Sequence, residues 1–464
     1  MNPILLIDFG STFTKVTAVD TESERLLGTA SAYTTVQTDI NLGLNEALTS
    51  LEQSTGPLTY TARYACSSAA GGLKMVAGGL VPDLTAQAAR TACLGAGAKV
   101  LKSYAFELTE DDLDEIRSLK PDIFLLCGGT DGGNTECVLH NAEALASIDQ
   151  PFPVIVAGNR SAARRCEKLL APTHDVLVCE NVMPRFGVMN IKPVQDKIRG
   201  LFLERIIRAK GLTEATALLD GILMPTPAAV LEAVTLLADG SEREKGIGEL
   251  ICVDVGGATT DVYSVAHGHP TAANTVVKGL PEPYRKRTVE GDIGMRYSIR
   301  GIVEACGITR IAELAGLTED RAQALIDALA THTETVPAGD AELEKLDDAL
   351  AACAVETAVT RHAGTVEETY TNMGLTYVQT GKDLRAVNQI VLTGGSLIRS
   401  RHTEDIARHA LYSPAEPFSL RPQKAEARTD RKYILAAMGL LAGMYPDAAL
   451  HIMKKELKPN GITE

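Results

Sequence analysis

Tryptophan is absent and aromatic residues make up only 4% of the 464-residue chain, so its packing rests on Ala, Leu and Val. Nine cysteines contain no CxxC pair, which argues against a disulfide frame, a zinc knuckle or a cluster-ligand cassette and leaves them as small buried hydrophobes in a reducing cytoplasm. Long apolar runs are missing as well. No basic segment precedes an apolar stretch at the N-terminus, and "ILAAMGLLAGMY" at 434–445 is too short for a bilayer and stops at Pro446. Concentrated positive charge is also scarce: the net charge is −14, and the runs "RSAARRCEK" and "EPYRKRTVE" are short and interspersed with acid, as expected of solvated faces. A nucleic-acid or anionic-membrane surface is therefore not expected, and a cytoplasmic location is.

Core-forming material is ample. Hydrophobic residues are 45% and charged residues 22% of a chain too long for one core, so two domains or a bilobed body are expected. Strand-like runs alternate with helix-length segments: "ILLIDFG", "KVTAVD", "DIFLLCGG", "FPVIVAG", "DVLVCEN", "LICVDVGG", "TDVYSVA" and "QIVLTGG". Continuous Val, Ile and Leu runs of this kind fit strands covered on both faces by helices, hence an α/β fold. Residues 301–371 differ, with apolar spacings of three and four that predict a helical insertion.

Two internal echoes organise the chain. "IDFGSTFTKV" (7–16) aligns without a gap on "VDVGGATTDV" (253–262), matching Asp8 with Asp254, Gly10 with Gly256 and Thr14 with Thr260. "IFLLCGGT" (123–130) aligns on "QIVLTGGS" (389–396) in the same way. This order predicts two related α/β lobes that face each other across a cleft.

A hairpin turning through Gly, Ser and Thr exposes backbone N–H groups and hydroxyls able to hold phosphate oxygens. In the first copy these are Gly10, Ser11, Thr12, Thr14 and Lys15; in the second, Gly256, Gly257, Ala258, Thr259 and Thr260. Asp8 and Asp254, each ending a buried strand, suit a hydrated Mg²⁺, which takes one or two carboxylates. Lys15 would face the terminal phosphate, while Asp261, in its place in the second copy, would face metal or water. Gly394 and Gly395 would let a strand-to-helix backbone approach adenine and ribose, with Ser396 as the helix cap. Each piece alone is equally well an ordinary turn; duplicated and in order they point to a nucleotide clamp.

The three motifs resemble the phosphate-1, phosphate-2 and adenosine signatures of the superfamily of actin, sugar kinases and heat-shock chaperone ATPases, which implies duplicated ribonuclease-H-like lobes. More narrowly, the chain resembles the glutamate-mutase-associated GlmL family, also called MutL and unrelated to the mismatch-repair protein. That resemblance rests on "LLIDFGSTFTKVTAVD", "ACSSAAGGLKMVAGGLVPDLTAQAARTACLGAGAKV" (65–100), "CGGTDGGN" (127–134), "VEGDIGMR" (289–296) and "AMGLLAG" (437–443). It implies a Mg-dependent ATPase, with ATP and Mg²⁺ as cofactors, that accompanies adenosylcobalamin-dependent mutase or aminomutase subunits and exchanges damaged cofactor. The expected layout is a first lobe over 1–245 with an α/β insertion, a second over 246–430, and C-terminal helices over 431–464 that pack back on the lobes; a homodimer is compatible with it.

Other candidates carry plainer alternatives. Glu290, Asp292 and Arg296 could place an acid near attacking water or simply pair within their loop, so Asp254, Asp261 and Glu290 form the catalytic candidates. "CGGTDGGN" could be an anion nest or a relic of duplication, and Lys74 could meet nucleotide or merely flank close packing. "HGHP" reads as an exposed turn rather than a metal site. A small-molecule kinase and an actin-like assembly protein share the clamp and are the competing functions.

Overall fold

The computed structural model describes residues 2–10, 12–34, 40–68, 73–209, 220–372 and 374–463. It divides into two units: residues 1–230 with 279–281, and residues 231–278 with 282–464.

In the first unit, β1 (Pro3–Phe9), β2 (Phe13–Asp20) and β3 (Arg25–Tyr33) form an antiparallel meander. The helix Ile40–Thr55 then leads to β4 (Ala62–Ser67), parallel to β1 on its other side. Here the chain departs to build a second sheet from β5 (Lys74–Gly79), β6 (Lys99–Ala105), β7 (Ile123–Leu126), β8 (Val154–Val156) and β9 (Val176–Val178). All five are parallel, in the order β6-β5-β7-β8-β9. Only then does β10 (Gly221–Pro225) return beside β4 and complete the first sheet, β10-β4-β1-β2-β3.

Alternation along the strands sorts the core. Met75, Ala77, Ile123 and Leu125 join a cluster with Leu5, Ile7 and Phe9 of β1, whereas Val76, Phe124 and Leu126 point to the opposite face. A parallel sheet covered on both faces needs this double apolar pattern, which explains the unbroken run "IFLL".

The second unit repeats the first sheet. β11 (Leu250–Val255) and β12 (Thr260–Val265) form a hairpin; after β13 (Thr275–Lys278), β14 (Arg285–Glu290) lies antiparallel to β12. Four helices follow: Ile299–Cys306, Ile308–Ala315, Glu319–Thr331 and Ala341–His362. β15 (Thr365–Thr371) and β16 (Gly374–Thr380) join β13 in a small sheet, and β17 (Gln389–Thr393), β18 (Ala425–Thr429) and β19 (Pro459–Thr463) complete the large one. Its order is β14-β12-β11-β17-β18-β19.

Strand order and sense therefore match: β1, β2, β3, β4 and β10 correspond to β11, β12, β14, β17 and β18. The duplicated ribonuclease-H-like fold implied by the resemblance is present, with a helical insertion in the second unit. The second echo is corrected. The strand beside β1 that corresponds to β17 is β4, and "IFLLCGGT" begins in β7 of the inserted sheet. Both sequences are parallel strands running into glycine, a likeness that covered strands produce without common position. The helical insertion also ends earlier than expected, because "TVEETYT" (365–371), rich in Thr, Val and Tyr, forms β15.

Candidate functional site

The first hairpin is closed by Gly10, whose amide donates to the carbonyls of Asp8 (3.0 Å) and Phe13 (3.2 Å). In the second, the Gly256 amide donates to Thr259 O at 2.9 Å, the equivalent bond. A Cβ at Gly10 would stand 2.5 Å from Phe13 O, and one at Gly256 would stand 3.0 Å from Thr259 O, so the first turn excludes a side chain and the second resists one.

Asp8 is buried at the end of β1 and directly opposite Lys15 on β2. Lys15 Nζ lies 2.8 Å from Asp8 Oδ2; the other oxygen accepts from Thr226 Oγ1 at 2.6 Å and from Cys66 Sγ at 3.6 Å. Burial, with the Asp8 charge adding to it, pushes the Cys66 thiol well up, so it remains a protonated donor. Both carboxylate oxygens of Asp8 thus accept from the protein. Thr226 and Cys66 were not singled out from the sequence. Cys66 sits beside Asp8 in the parallel ladder, the place Thr393 takes beside Asp254. Thr226 directly follows β10, as Asp430 follows β18, and Thr393 Oγ1 donates to Asp430 Oδ2 at 3.2 Å.

Asp254 is half-buried at the end of β11 and faces Asp261 across the ladder. Asp261 is held by Arg287 of β14, with Nε 2.8 Å and Nη2 2.6 Å from Oδ1. Burial works against the Arg287 charge, but Asp261 and Tyr263 together outweigh it and raise the guanidinium above its ordinary value. Asp261 is thus an anchored ion-pair partner of Arg287. "EPYRKRTVE" is corrected with it: this run is β14 with its approach, Arg287 is buried, Arg285 pairs with Glu232 and Lys286 with Glu282. The arginines and lysine neutralise acids around the sheet rather than forming a solvated face.

The side chains of Thr14 and Thr260 turn inward. Thr14 bonds Thr34 at 3.0 Å and Thr260 donates to Ile293 O at 3.0 Å, both fully buried. Thr12, Gly256, Gly257, Ala258 and Thr259 stay half-exposed at the turns; Ser11 lies outside the described residues. The second turn is braced from below: Gly256 O accepts from Met295 N, and Gly257 O from the amides of Arg296 and Tyr297.

Glu290 pairs with Arg361 at 2.7 Å and Asp292 reaches the same guanidinium at 3.5 Å, while Arg296 pairs with Asp347 at 2.7 Å. Both partners belong to the helix Ala341–His362, so "VEGDIGMR" is fastened to the helical insertion rather than paired within its own loop. Glu290 is consequently no free base.

Gly394, at φ +102°, approaches protein backbone: an added Cβ would lie 2.3 Å from Val255 O and 2.8 Å from Asp254 Oδ1. Gly395 is open, with nothing nearer than Arg399 Nη1 at 3.8 Å. Ser396 lies inside the short helix Gly395–Arg399, whose N-cap is Gly394, so the capping role expected of Ser396 is corrected. Its side chain bonds Asp347 instead. "CGGTDGGN" is immobilised by Asn159 and Asn181, which donate to the carbonyls of Gly133, Asn134 and Gly129. Among the described residues no group of three or more His, Cys, Asp or Glu side chains is placed to hold a metal ion, and no helix is long and apolar enough to cross a membrane.

Strand order and the repeated aspartate turn define a duplicated α/β chain of ribonuclease-H-like architecture. The chain belongs to the MutL protein family, whose model matches residues 4–457. It is 47% identical over 461 residues to "Protein MutL" of Clostridium tetanomorphum, covering 98% of this chain and 99% of that one. Among solved structures it is similar to (R)-2-hydroxyglutaryl-CoA dehydratase component A of Acidaminococcus fermentans, with TM-score 0.33 and 8% identity over 99% of this chain and 100% of that chain. A xylulose kinase from Bifidobacterium adolescentis matches with TM-score 0.32 and 11% identity over 99% and 96%. At these scores neither likeness carries weight for this chain.

Proposed function

We propose that this chain is a Mg-dependent ATPase that serves as an accessory protein of an adenosylcobalamin-dependent mutase, using ATP hydrolysis to release damaged cofactor. One observation carries the nucleotide part: two sheets of the same strand order each end their first strand on a carboxylate, at a hairpin turn closed by the same glycine bond. The partner follows from the resemblance to the GlmL family.

The residues fit Mg·ATP unequally. Asp254, half-buried above a turn of Gly256, Gly257, Ala258 and Thr259, suits the water shell of Mg²⁺. The metal would neutralise charge developing on the transferred phosphoryl group. Lys15 is the cation of the first turn; Asp8 fixes its ammonium, and Thr226 and Cys66 fix Asp8, so Lys15 meets a phosphate oxygen without reorganising. Gly395 leaves room for a flat group beside β17.

The test is hydrolysis by the purified chain, with and without mutase subunits from the same cell. Slow Mg-dependent release of phosphate, accelerated by the mutase and without a phosphorylated metabolite, is expected. A phosphoester product would replace this reading with a kinase, and unchanged hydrolysis by Asp254→Asn would remove the metal assignment.

A further inference from the structure

Cys306 ends the helix Ile299–Cys306 and Cys353 lies within the helix Ala341–His362, whose inner face is buried. Cys306 Sγ is 3.8 Å from the carbonyl oxygen of Cys353 and 3.5 Å from Thr357 Oγ1, one helical turn on. The Cys306 sulfur therefore packs against the backbone of the residue that carries the second thiol. Cys353 is fully buried, whereas Cys306 keeps partial exposure. Arg310, from the next helix, pairs with Glu356 close to the two thiols. The pair thus combines a reachable thiol, a second thiol on the residue whose carbonyl that sulfur touches, and a neighbouring cation.

We infer that Cys306 and Cys353 form a vicinal dithiol that closes to a disulfide when the chain meets a low-molecular-weight disulfide. The Cys306 thiolate attacks one sulfur of the oxidant, forming a mixed disulfide and expelling one small thiolate. The Cys353 thiolate then attacks the Cys306 sulfur, forming the protein disulfide and expelling the second. The two protein protons pass to the departing thiolates, so one oxidant disulfide is reduced for each protein disulfide made.

Electrostatics support the order of attack. The Cys353 thiol, then the Thr357 hydroxyl and Arg310, lower the Cys306 thiol to about 6 against the effect of burial, whereas contact with Cys306 and burial raise Cys353. The cross-link would join the helix that follows the Gly291–Arg296 loop to the helix that anchors Glu290 through Arg361 and Arg296 through Asp347.

The experiment treats the native full-length chain with oxidised glutathione, then maps peptides without reduction. Loss of two thiols per chain and a joined Cys306–Cys353 peptide are expected. Cys353→Ser should stop at glutathionylated Cys306, and Cys306→Ser should leave Cys353 reduced. Cys179, also half-buried, is the internal reference: iodoacetamide at pH 7 should label Cys306 at least about tenfold faster. Stable glutathione on Cys306 in the wild-type chain, equal labelling of Cys306 and Cys179, or thiol loss unchanged by Cys353→Ser would each overturn the inference.

Discussion

Lys15 Nζ stands 2.8 Å from Asp8 Oδ2 across the first hairpin, whereas the same ladder position of the second hairpin sets Asp261 opposite Asp254. The first turn neutralises its strand-end carboxylate with its own hairpin. The second places two acids together and takes Arg287 from the neighbouring strand.

Removing Lys15 should leave Asp8 as a buried charge with only neutral donors. Lys15→Met is expected to destabilise the chain by about 3 kcal/mol and to weaken ATP binding, while Lys15→Met with Asp8→Asn recovers stability but not binding. Urea unfolding and nucleotide titration measure the two effects separately. Equal binding by the double variant and wild type would exclude Lys15 as the phosphate contact.

Asp254 and Asp261 should separate in function. Asp254→Asn is expected to abolish hydrolysis, because a neutral amide holds a metal's water shell poorly. Asp261→Asn should retain hydrolysis to within about tenfold but lower stability by roughly 3 kcal/mol, since it strands Arg287. Steady-state phosphate release and thermal unfolding on both variants decide this. Loss of hydrolysis in Asp261→Asn without loss of stability would make Asp261 a catalytic group.

The adjacent glycines predict opposite phenotypes. Gly394→Ala places a methyl against Val255 O at a positive φ and should cost about 3 kcal/mol or prevent folding. Gly395→Ala meets nothing closer than 3.8 Å and should fold normally. If Gly395 borders the base, its alanine variant loses affinity for ATP with an unchanged melting temperature; full affinity would place the nucleotide elsewhere.

Stability should depend on pH through a buried lysine. Lys382 is fully buried, donates to Tyr284 O at 2.9 Å and Ser264 Oγ at 3.2 Å, and is held down to about 7 by burial and then by Lys286, against Glu282 and Glu249. Above that pH the folded chain keeps it neutral, while the unfolded chain keeps it protonated to about 10.4. The unfolded state therefore binds more protons in that window, and stability rises with pH across it, by roughly 5 kcal/mol at most. Lys382→Met should flatten this rise and add stability at neutral pH. Nearby His362 bonds Ser264 and Thr288; burial, then Lys286 and Lys382, hold it well below its ordinary value, so it opposes folding as pH falls below about 6.5. Denaturation midpoints from pH 5 to 10 on wild type and Lys382→Met test both arms.

The sequence by itself determined the hairpins and the buried strands, because these are local. Period, burial on both faces and a turn glycine are written within ten residues, so Asp8 with Gly10 and Asp254 with Gly256 were legible as equivalents. Tertiary structure alone decided which groups meet those turns. Thr226 lies 218 residues from Asp8, and Arg287 lies 26 from Asp261; no local pattern encodes such pairings. It also decided which strand stands beside the first: β4, reading ARYACS, takes that place, although the apolar run IFLL of β7 is the better match in sequence to QIVLT of β17. Inward-facing Thr14 and Thr260 show the same limit: a hydroxyl beside a turn reads as a ligand until packing supplies Thr34 or Ile293 as its partner. Strand propensity is a property of neighbours along the chain, whereas a site is a property of neighbours in space.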